Sequence, residues 1–408
     1  MVFTALLKLS FIAPLVAAIP NQAVFTPEET ELSVGGEIDT WALNPTGDAA
    51  IIRVARLEDS SKYDLHLLAI NAQYTIPSVN YGPTDPHALY TFVSDNEFTT
   101  LVPSHEDEDV WNLFTQKLEY TTLPPAKPPT ASEPKLLKRI ELPIHGRFED
   151  IIYASHTDTL VAVIKTGTPE YQTSGLFLSP LGNRSVNVIE DQRVNEQVSA
   201  QSGIVFRDLV TNGTHLVFTA ASQSSDSSPE QSDLWILDLN NRDRPMGVFR
   251  WQAGVSFRAP AFGVGGTLAW LTEDKKNGRV QSWIYDGKTD YPVKLKNFGL
   301  SPEKTIWAKN GEALYLLTTD ADKAQKSLYH LFTPSSGSPP VEPIRIPSNG
   351  TIDSAIHIGV TPLDHAHLIG VKEDARKGEG KELWVISHSP HEDPTYNYEN
   401  IRLTHFTD

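Results

Sequence analysis

Two histidine pairs are the residues whose type and spacing come closest to a metal site. His365 and His367 stand two apart, a spacing that places both on one face of a strand. His388 and His391 form a second pair three residues apart. No carboxylate pattern around them completes a ligand set, so we interpret them as ordinary satisfied or solvated histidines. We predict no metal ion and no cofactor.

Acidic residues and serines offer two further possibilities. The acids at 106–109 could bind calcium, but they lack the alternating ligand spacing and turn glycine of a calcium loop, so a solvated face is the preferred interpretation. The chain contains no G-x-S-x-G segment, the turn that exposes the serine of α/β-hydrolases. A P-loop, a G-x-G-x-x-G fingerprint and an H-E-x-x-H zinc motif are also missing from the sequence. The residues alone therefore predict no catalytic residue.

Composition and charge narrow the class of protein. The 408 residues are 39% hydrophobic and 21% charged, which is typical of a globular chain. The formal net charge of −17 argues against nucleic acid or an anionic membrane as a partner, because both select basic patches. Since the acidic residues are scattered along the chain, we interpret them as surface residues that keep the protein soluble.

The N-terminus predicts secretion. Residues 1–18 combine one lysine, a short apolar core and small residues at the end, which is typical of a signal peptide, although a buried N-terminal helix is the alternative. Three N-x-[ST] sequons, at Asn183, Asn212 and Asn349, are then candidate glycosylation sites, whereas a proline disqualifies Asn44. The chain has no cysteine, so core burial must stabilise the secreted protein without disulfides.

A short apolar strand with a large ring at its third position recurs about every 50 residues, with one gap of about twice that length. The rings belong to His66, Phe177, Trp235, Trp283, Tyr329 and Trp384. Strands repeating at this period are typical of a β-propeller with four strands per blade. We expect the rings to fill the space between neighbouring blades, which widens outward.

Each repeat also contains other strands in a fixed order. An inner strand such as 257–264 precedes a turn, and a nearly continuous apolar strand such as 265–274 follows. Strands buried on both faces between blades explain the unbroken apolar runs. We therefore predict an all-β, seven-bladed propeller of four-stranded antiparallel blades over residues 39–408, after a lead-in segment at 19–38. The second blade, at about 89–142, is expected to be degenerate and to contain a Pro-rich loop at 123–134.

Several stretches of the chain resemble the N-terminal propeller of prolyl oligopeptidase-family peptidases, specifically the fungal secreted dipeptidyl-peptidase V group. They are FTPEETELSVGGEIDTWALNPTGDAAIIRVARLED (25–59), FRAPAFGVGGTLAWLTED (257–274), IWAKNGEALYLLTTD (306–320) and RLTHFTD (402–408). The resemblance extends over residues 25–408. It implies a propeller that caps a serine peptidase, admits short peptides and helps to hold their free N-terminus, with N-terminal dipeptides as the product.

The resemblance also implies a domain that this chain does not contain. In the family, the last outer strand leads into an α/β-hydrolase domain that carries the catalytic serine, aspartate and histidine, whereas this sequence ends at Asp408. No catalytic residue can therefore be assigned here, and we predict that the chain alone is inactive. Peptide substrates are the implied partners, through that missing domain.

Two functions of different classes remain open at this point. One is the substrate-gating propeller of a dipeptidyl-peptidase V-like serine hydrolase. The alternative is a stand-alone secreted propeller that binds a ligand or a protein without catalysis. A coding sequence for a G-x-S-x-G segment downstream would favour the first, and a genuine stop codon would favour the second.

Overall fold

The computed structural model consists almost wholly of β-strands. It describes residues 36–404 except 71–77, 105–106, 108, 123–126, 144–145, 169–170, 183–189, 194–197, 200–203, 223–231, 242–244, 250–253, 288–291, 297–298, 309–312, 321–324, 333–342, 348–349, 361–365, 375–378 and 389–397. The predicted signal peptide and all of the lead-in segment before residue 36 lie outside this range. No helix within the described residues has the length and hydropathy needed to span a bilayer.

The strands follow one another along the described residues, and the prediction of an all-β fold is confirmed. One 3-10 turn, at Val264–Gly266, separates two of them. The strands are, in order, β1 Gly36–Leu43, β2 Ala49–Arg56, β3 Tyr63–Ala69, β4 Val79–Thr84, β5 Leu89–Ser94, β6 Glu97–Pro103, β7 Val110–Thr121, β8 Lys127–Ala131, β9 Lys135–Glu141, β10 Arg147–Ala154, β11 Thr159–Thr168, β12 Tyr171–Pro180, β13 Glu190–Arg193, β14 Val198–Ser199, β15 Ile204–Thr211, β16 His215–Ser222, β17 Ser232–Asp238, β18 Pro245–Phe249, β19 Val255–Phe262, β20 Leu268–Asp274, β21 Arg279–Tyr285, β22 Val293–Lys294, β23 Pro302–Trp307, β24 Ala313–Asp320, β25 Gln325–Phe332, β26 Ile344–Ile346, β27 Gly350–Val360, β28 Ala366–Asp374, β29 Glu379–His388 and β30 Tyr398–Arg402.

Antiparallel pairing arranges these strands in successive units of four. The units, numbered along the chain, are β1-β2-β3-β4, β5-β6-β7-β9, β10-β11-β12-β14, β15-β16-β17-β18, β19-β20-β21-β22, β23-β24-β25-β26 and β27-β28-β29-β30. A single bridge between Ser232 and Ser256 joins units 4 and 5 into one eight-stranded sheet. We call the first strand of each unit its inner strand.

The turn between β1 and β2 shows how a short stretch of sequence determines the structure of a unit. Asn44 is buried between β1 and β2, and its Oδ1 accepts hydrogen bonds from the backbone N–H groups of Gly47, Asp48 and Ala49. Gly47 has a φ of 79°, which glycine adopts at no steric cost. The Asn44 amide also donates 2.9 Å bonds to the Asp95 carbonyl and the Tyr120 hydroxyl of unit 2. The turn therefore connects two units as well as two strands.

Unit 2 contains the Pro-rich segment, and here the structure differs from the predicted loop. The segment predicted to be degenerate, at about 89–142, contains β5, β6, β7 and β9 in antiparallel pairing. Residues 127–131 of the Pro-rich run form strand β8, which pairs with the end of β7. Prolines are tolerated there because the pairing is short and shifts in register, so few backbone N–H groups are needed. β13 pairs in parallel with β9 and covers the outer edge of this unit.

Seven hydrophobic clusters lie between consecutive units and form the core. Leu67 of unit 1 packs with Phe98 of unit 2, and the same kind of contact continues from each unit to the next. A further cluster joins Ile52 of unit 1 to Leu383 and Val385 of unit 7. The second strands are buried nearly throughout, as β16 illustrates, because both of their faces contact a neighbouring unit.

The recurring rings are all on the third strands of their units, as the spacing predicts. Phe177 packs among residues of units 2 and 3, Trp235 against units 3 and 4, Trp283 against units 4 and 5, and Tyr329 against units 5 and 6. The prediction that large rings fill the space between neighbouring units is confirmed for these four side chains.

The first and last units meet through side chains. Unit 1 is built from strands at the start of the described residues and unit 7 from strands at their end, and no pairing between the two is seen there. Trp41 Nε1 of β1 donates a 3.1 Å hydrogen bond to Ser354 Oγ of β27. Lys381 forms salt bridges of 2.7 Å with Asp353 and 3.7 Å with Glu37. Packing and polar contacts, together with the apolar cluster, therefore join the two units.

Candidate functional site

The inner strands contact one another in sequence. Successive inner strands lie side by side from β1 to β5 and onward to β27, and the Trp41–Ser354 hydrogen bond joins the last of them to the first. We call the side of the inner strands that faces away from the second strands the lumen. Because residues from different units converge there, the lumen is the natural place to look for a site.

All the inner strands except β5 share a β-bulge in their first part or middle, a local register shift against the second strand. The shifts occur at Asp39, Glu149, Asp208–Leu209, Ala259–Pro260, Glu303 and Asp353. A bulge leaves one residue unpaired and redirects the side chains beside it. Acidic residues thus stand at the bulge in most of these units, close to the start of the inner strand.

Most of these bulge carboxylates are neutralised within their own unit. Asp39 pairs with Arg53 at 2.5 Å, and Glu149 pairs with Lys165 at 2.9 Å. Glu303 and Asp353 pair in the same way with Lys326 at 3.0 Å and Lys381 at 2.7 Å. Each cation lies on the second or third strand of the same unit, so these pairs connect strands within one sheet.

Three charged inner-strand residues differ from this pattern: Asp150 on β10, Asp208 on β15 and Lys304 on β23. We call them the lumen triad. All three are exposed, and within the described part of the chain none of them forms a salt bridge. Asp150 accepts only a 2.8 Å bond from the Ile151 N–H, and Asp208 accepts a 3.1 Å bond from Thr219 Oγ1.

The charge of Asp208 acts on both other members of the lumen triad. Burial within surrounding protein raises the pKa of Asp150 from 3.8 to about 6, opposed by the Ile151 hydrogen bond and reinforced by the charges of Asp208 and Glu149. Burial also lowers the pKa of Lys304, and the charge of Asp208 opposes that effect. Asp208 is the common neighbour of the other two.

The backbone around Asp208 is held in an unusual conformation. Asp208 has a φ of 56° and Ala259, on the next inner strand, a φ of 49°. Left-handed backbone at a residue other than glycine costs on the order of 1 kcal/mol and persists only where contacts enforce it. Here the Ala259 N–H approaches Asp208 Oδ2 at 3.4 Å, and Thr305 Oγ1 donates a 2.8 Å bond to the Ala259 carbonyl. These contacts link three successive inner strands at their bulges.

The residues next to the triad on the other inner strands are small. Thr40, Ala259 and Ser354 occupy the bulge region of β1, β19 and β27. The triad therefore carries charge at positions where these three strands carry small residues. Carboxylates such as those of Asp150 and Asp208 pair with cationic groups, and the ammonium of Lys304 pairs with anionic ones.

The candidate sites predicted from the sequence do not coincide with the lumen triad. Asn183 and Asn349 lie outside the described residues, as do His365 and His391. Asn212 lies in the β15–β16 turn, half-buried, where its Oδ1 accepts bonds from the N–H groups of Thr214 at 3.1 Å and His215 at 2.8 Å. Among the residues that the structure describes, no three His, Cys, Asp or Glu side chains come close enough together to hold a metal ion.

Sequence reasoning did not find the lumen triad. The only signal is a charged residue interrupting the apolar half of an inner strand, as in FEDI, FRDL and PEKT. That signal is shared by every bulge acid, and only the structure shows which of them have a cation on the neighbouring strand.

Comparison with known proteins shows which fold the chain adopts. No family profile and no curated protein sequence matches the chain. Among solved structures, the β-propeller domain of the Trilobed protease from Pyrococcus furiosus aligns with a TM-score of 0.54 at 14% identity, over 92% of this chain and 99% of that one. Prolyl oligopeptidase B from Galerina marginata gives 0.56 at 11% identity, over 92% of this chain and 52% of that one.

A lyase shares the same architecture. An oligogalacturonate lyase solved in complex with manganese aligns with a TM-score of 0.55 at 11% identity, over 88% of this chain and 90% of that one. The chain thus spans about half the length of the prolyl oligopeptidase and nearly all of two shorter proteins. At such identities the likeness shows the fold alone, and the fold is a β-propeller of the kind found in prolyl oligopeptidase-family peptidases.

Proposed function

We propose that this chain is the substrate-gating propeller of a secreted serine peptidase that resembles the fungal dipeptidyl-peptidase V group. An α/β-hydrolase domain outside the sequence given would supply the catalytic serine, aspartate and histidine, and the whole enzyme would release N-terminal dipeptides. The observation that carries the proposal is the length relation. The chain matches one protease's propeller domain almost completely and a prolyl oligopeptidase over about half of its length.

The proposal includes a seven-bladed propeller with one unit per blade. It is supported by the order of the four-stranded units and by the apolar clusters between consecutive units, including the cluster between units 1 and 7. In such a ring the lumen is a narrow passage, so it would admit peptides and exclude folded proteins. That is how a propeller without its own nucleophile can determine what a peptidase cleaves.

Peptide cleavage is favoured over the lyase chemistry that the same fold also supports. The fold cannot decide between them, because unrelated reactions occur on propellers. The sequence motifs at 25–59, 257–274, 306–320 and 402–408 resemble the peptidase propellers, and they extend over nearly the whole chain. No nucleic acid, membrane or cofactor is part of the proposal.

Secretion and glycosylation belong to the same proposal. The signal-like residues 1–18 and the sequons at Asn183, Asn212 and Asn349 motivate it. At Asn212 the turn uses the side-chain oxygen, so a glycan on Nδ2 would leave those hydrogen bonds intact. A mass decrease after enzymatic removal of N-glycans, lost at each site on Asn→Gln substitution, tests the assignments.

The decisive experiment compares the native secreted protein with recombinant residues 19–408. We expect peptides C-terminal to residue 408 in a proteolytic digest of the native protein, including a G-x-S-x-G segment, and one serine modified by a fluorophosphonate. The recombinant chain should release no dipeptide and form no adduct, because nucleophile, base and oxyanion hole are all required. A native product that ends at residue 408 and takes up no phosphonate would refute the proposal, as would a stoichiometric adduct within 19–408.

A further inference from the structure

One stretch of unit 5 is basic in a chain that is otherwise strongly acidic. Residues 275–296 contain six basic and two acidic residues, whereas the whole chain has 34 basic and 51 acidic ones. The stretch runs from the turn between β20 and β21 to the residues just after β22. Four of its cations are exposed, and we call them the unit-5 basic edge: Lys276, Arg279, Lys294 and Lys296.

Strand pairing brings these cations to one end of the unit. Arg279 begins β21 directly after the turn that contains Lys276. Because β22 runs antiparallel to β21, the residues that follow β22 lie beside the start of β21. A 2.9 Å hydrogen bond from the Leu295 N–H to the Ser282 carbonyl continues this pairing past the end of β22. Lys296 therefore lies one diagonal step from Arg279, a separation of about 7–8 Å.

Three of the four cations also share a face of the sheet. Side chains two apart on a strand point to the same face, as do side chains directly opposite each other on paired strands. Lys294 is the partner of Trp283, so Lys294, Lys296 and Arg279 lie on the face of Trp283. That face packs toward unit 4, and Trp283 itself is only half-buried. A row of cations thus borders an aromatic ring at the edge of the unit.

The positive charge of this edge is not used within the described structure. None of the four side chains forms a salt bridge with another described residue, whereas Lys275, which stands beside them in the sequence, pairs with Glu273 at 3.5 Å. Asp274, the acid of the turn, accepts hydrogen bonds from the Lys276 backbone N–H and the Asn277 amide. Its carboxylate therefore shapes the turn, and the cations remain available to an external anion.

We propose that the unit-5 basic edge binds an acidic polysaccharide. The cations are spread over a turn and two strands, so a polymer with repeating negative charges can contact several of them at once, and each contact makes the next one intramolecular. A single small anion would gain only one of these contacts. The proposal goes beyond the peptidase function and does not rest on it.

The remainder of the protein selects among polyanions. Electrostatic interactions are largely screened beyond about 8 Å at physiological salt, so a thin polymer along the edge is little affected by the net charge of −17. A nucleic acid duplex carries one charge per about 1.7 Å and is wider, so it would bring many charges against acidic surface. An acidic peptide would match the cations, but a sugar ring can also cover the apolar surface of Trp283.

A fluorescein-labelled heparin oligosaccharide tests the proposal with the full-length chain by fluorescence anisotropy. At about 50 mM salt we expect a Kd below about 100 μM, with an affinity that falls as the salt concentration rises. No change in anisotropy up to about 100 μM protein would overturn the proposal. Equally tight binding of polyglutamate or of single-stranded DNA with the same number of charges would overturn the choice of a polysaccharide.

Two double variants locate the contact. Lys294→Gln with Lys296→Gln removes two cations of the edge, and the control, Lys62→Gln with Lys127→Gln, removes two exposed cations that pair with acids elsewhere. Both variants change the net charge equally, and substitutions at exposed positions should leave the fold intact, which thermal unfolding checks. We expect the first to weaken heparin binding by at least about fivefold and the control by less than about twofold. Equal losses would show that total charge and not the unit-5 basic edge attracts the polymer, and would overturn the assignment.

Discussion

Replacement of Phe177 by alanine should be among the most destabilising single changes in the chain. Phe177 is 2% exposed and sits between units 2 and 3, with its ring 5.6 Å from that of Phe148 in an edge-to-face arrangement. Truncating a buried phenylalanine costs about 3–5 kcal/mol through lost burial and the cavity left behind. The edge-to-face contact accounts for roughly 1 kcal/mol of this. Folded proteins are stable by only about 5–15 kcal/mol, so this loss would leave a substantial fraction of the molecules unfolded at moderate temperature.

Urea unfolding followed by tryptophan fluorescence and by circular dichroism measures the effect. Val293→Ala provides a matched control, because Val293 is 54% exposed on β22 and its truncation should cost less than about 0.5 kcal/mol. The two probes should give coincident transitions. If they do and Phe177→Ala lowers the free energy of unfolding by less than about 1 kcal/mol, the ring does not fill the space between the two units and the packing argument is wrong. Phe177→Leu should recover most of the loss.

Three further changes test other parts of the structure. Asn44→Ala should cost about 1–3 kcal/mol, because the buried Ala49 N–H and the partly buried Asp48 N–H lose their side-chain acceptor, while the Gly47 N–H keeps its bond to the Asn44 carbonyl; an unfolding midpoint within error of wild type would contradict this. Lys381→Met should lower the free energy of unfolding by about 1 kcal/mol at low salt and by less at 1 M salt, because salt screens the partly exposed salt bridges to Asp353 and Glu37. A loss that does not depend on salt would show that packing of the lysine alkyl chain, and not its charge, stabilises the protein. Asp150→Asn should raise the melting temperature at pH 8 and have little effect at pH 3.5. Burial raises the pKa of Asp150 in the folded protein to about 6, above its ordinary value of 3.8, so ionised Asp150 destabilises the folded protein at high pH and this penalty disappears as the pH falls through those two values. A gain that is the same at both pH values would refute that sign.

The parts of the fold that the sequence predicts are those fixed by local pattern. Large rings at a period of about 50 residues mark third strands, because at four of the contacts between units such a ring packs in the space between them. The unbroken apolar runs mark second strands for a similar reason. The Pro-rich run was misassigned at 127–131, because a short edge strand such as β8 tolerates prolines that a central strand would not.

The candidate site depends on contacts that a single sequence does not encode. Asp208 and Ala259 are 51 positions apart and become neighbours only when two units pack side by side. Likewise, the bulges that redirect inner-strand side chains arise from register, which has no one-residue signature. Glu149 and Asp150 illustrate the difficulty, since adjacent acids of the same charge have different partners: Glu149 pairs with Lys165, and Asp150 accepts a hydrogen bond from the Ile151 N–H.

That difference between adjacent acids suggests how a propeller can acquire a binding site without altering its frame. A β-bulge redirects the side chains beside it while the strand pairing on either side is retained. At four bulges the first residue is an acid that pairs with a cation, at Asp39, Glu149, Glu303 and Asp353, whereas Asp208 at another bulge forms no salt bridge within the described structure. The residue after the bulge differs in type between units, as Thr40, Asp150 and Lys304 show, and the pairing of the strands is the same. The charge at this position can therefore change one unit at a time without altering the pairing of the strands.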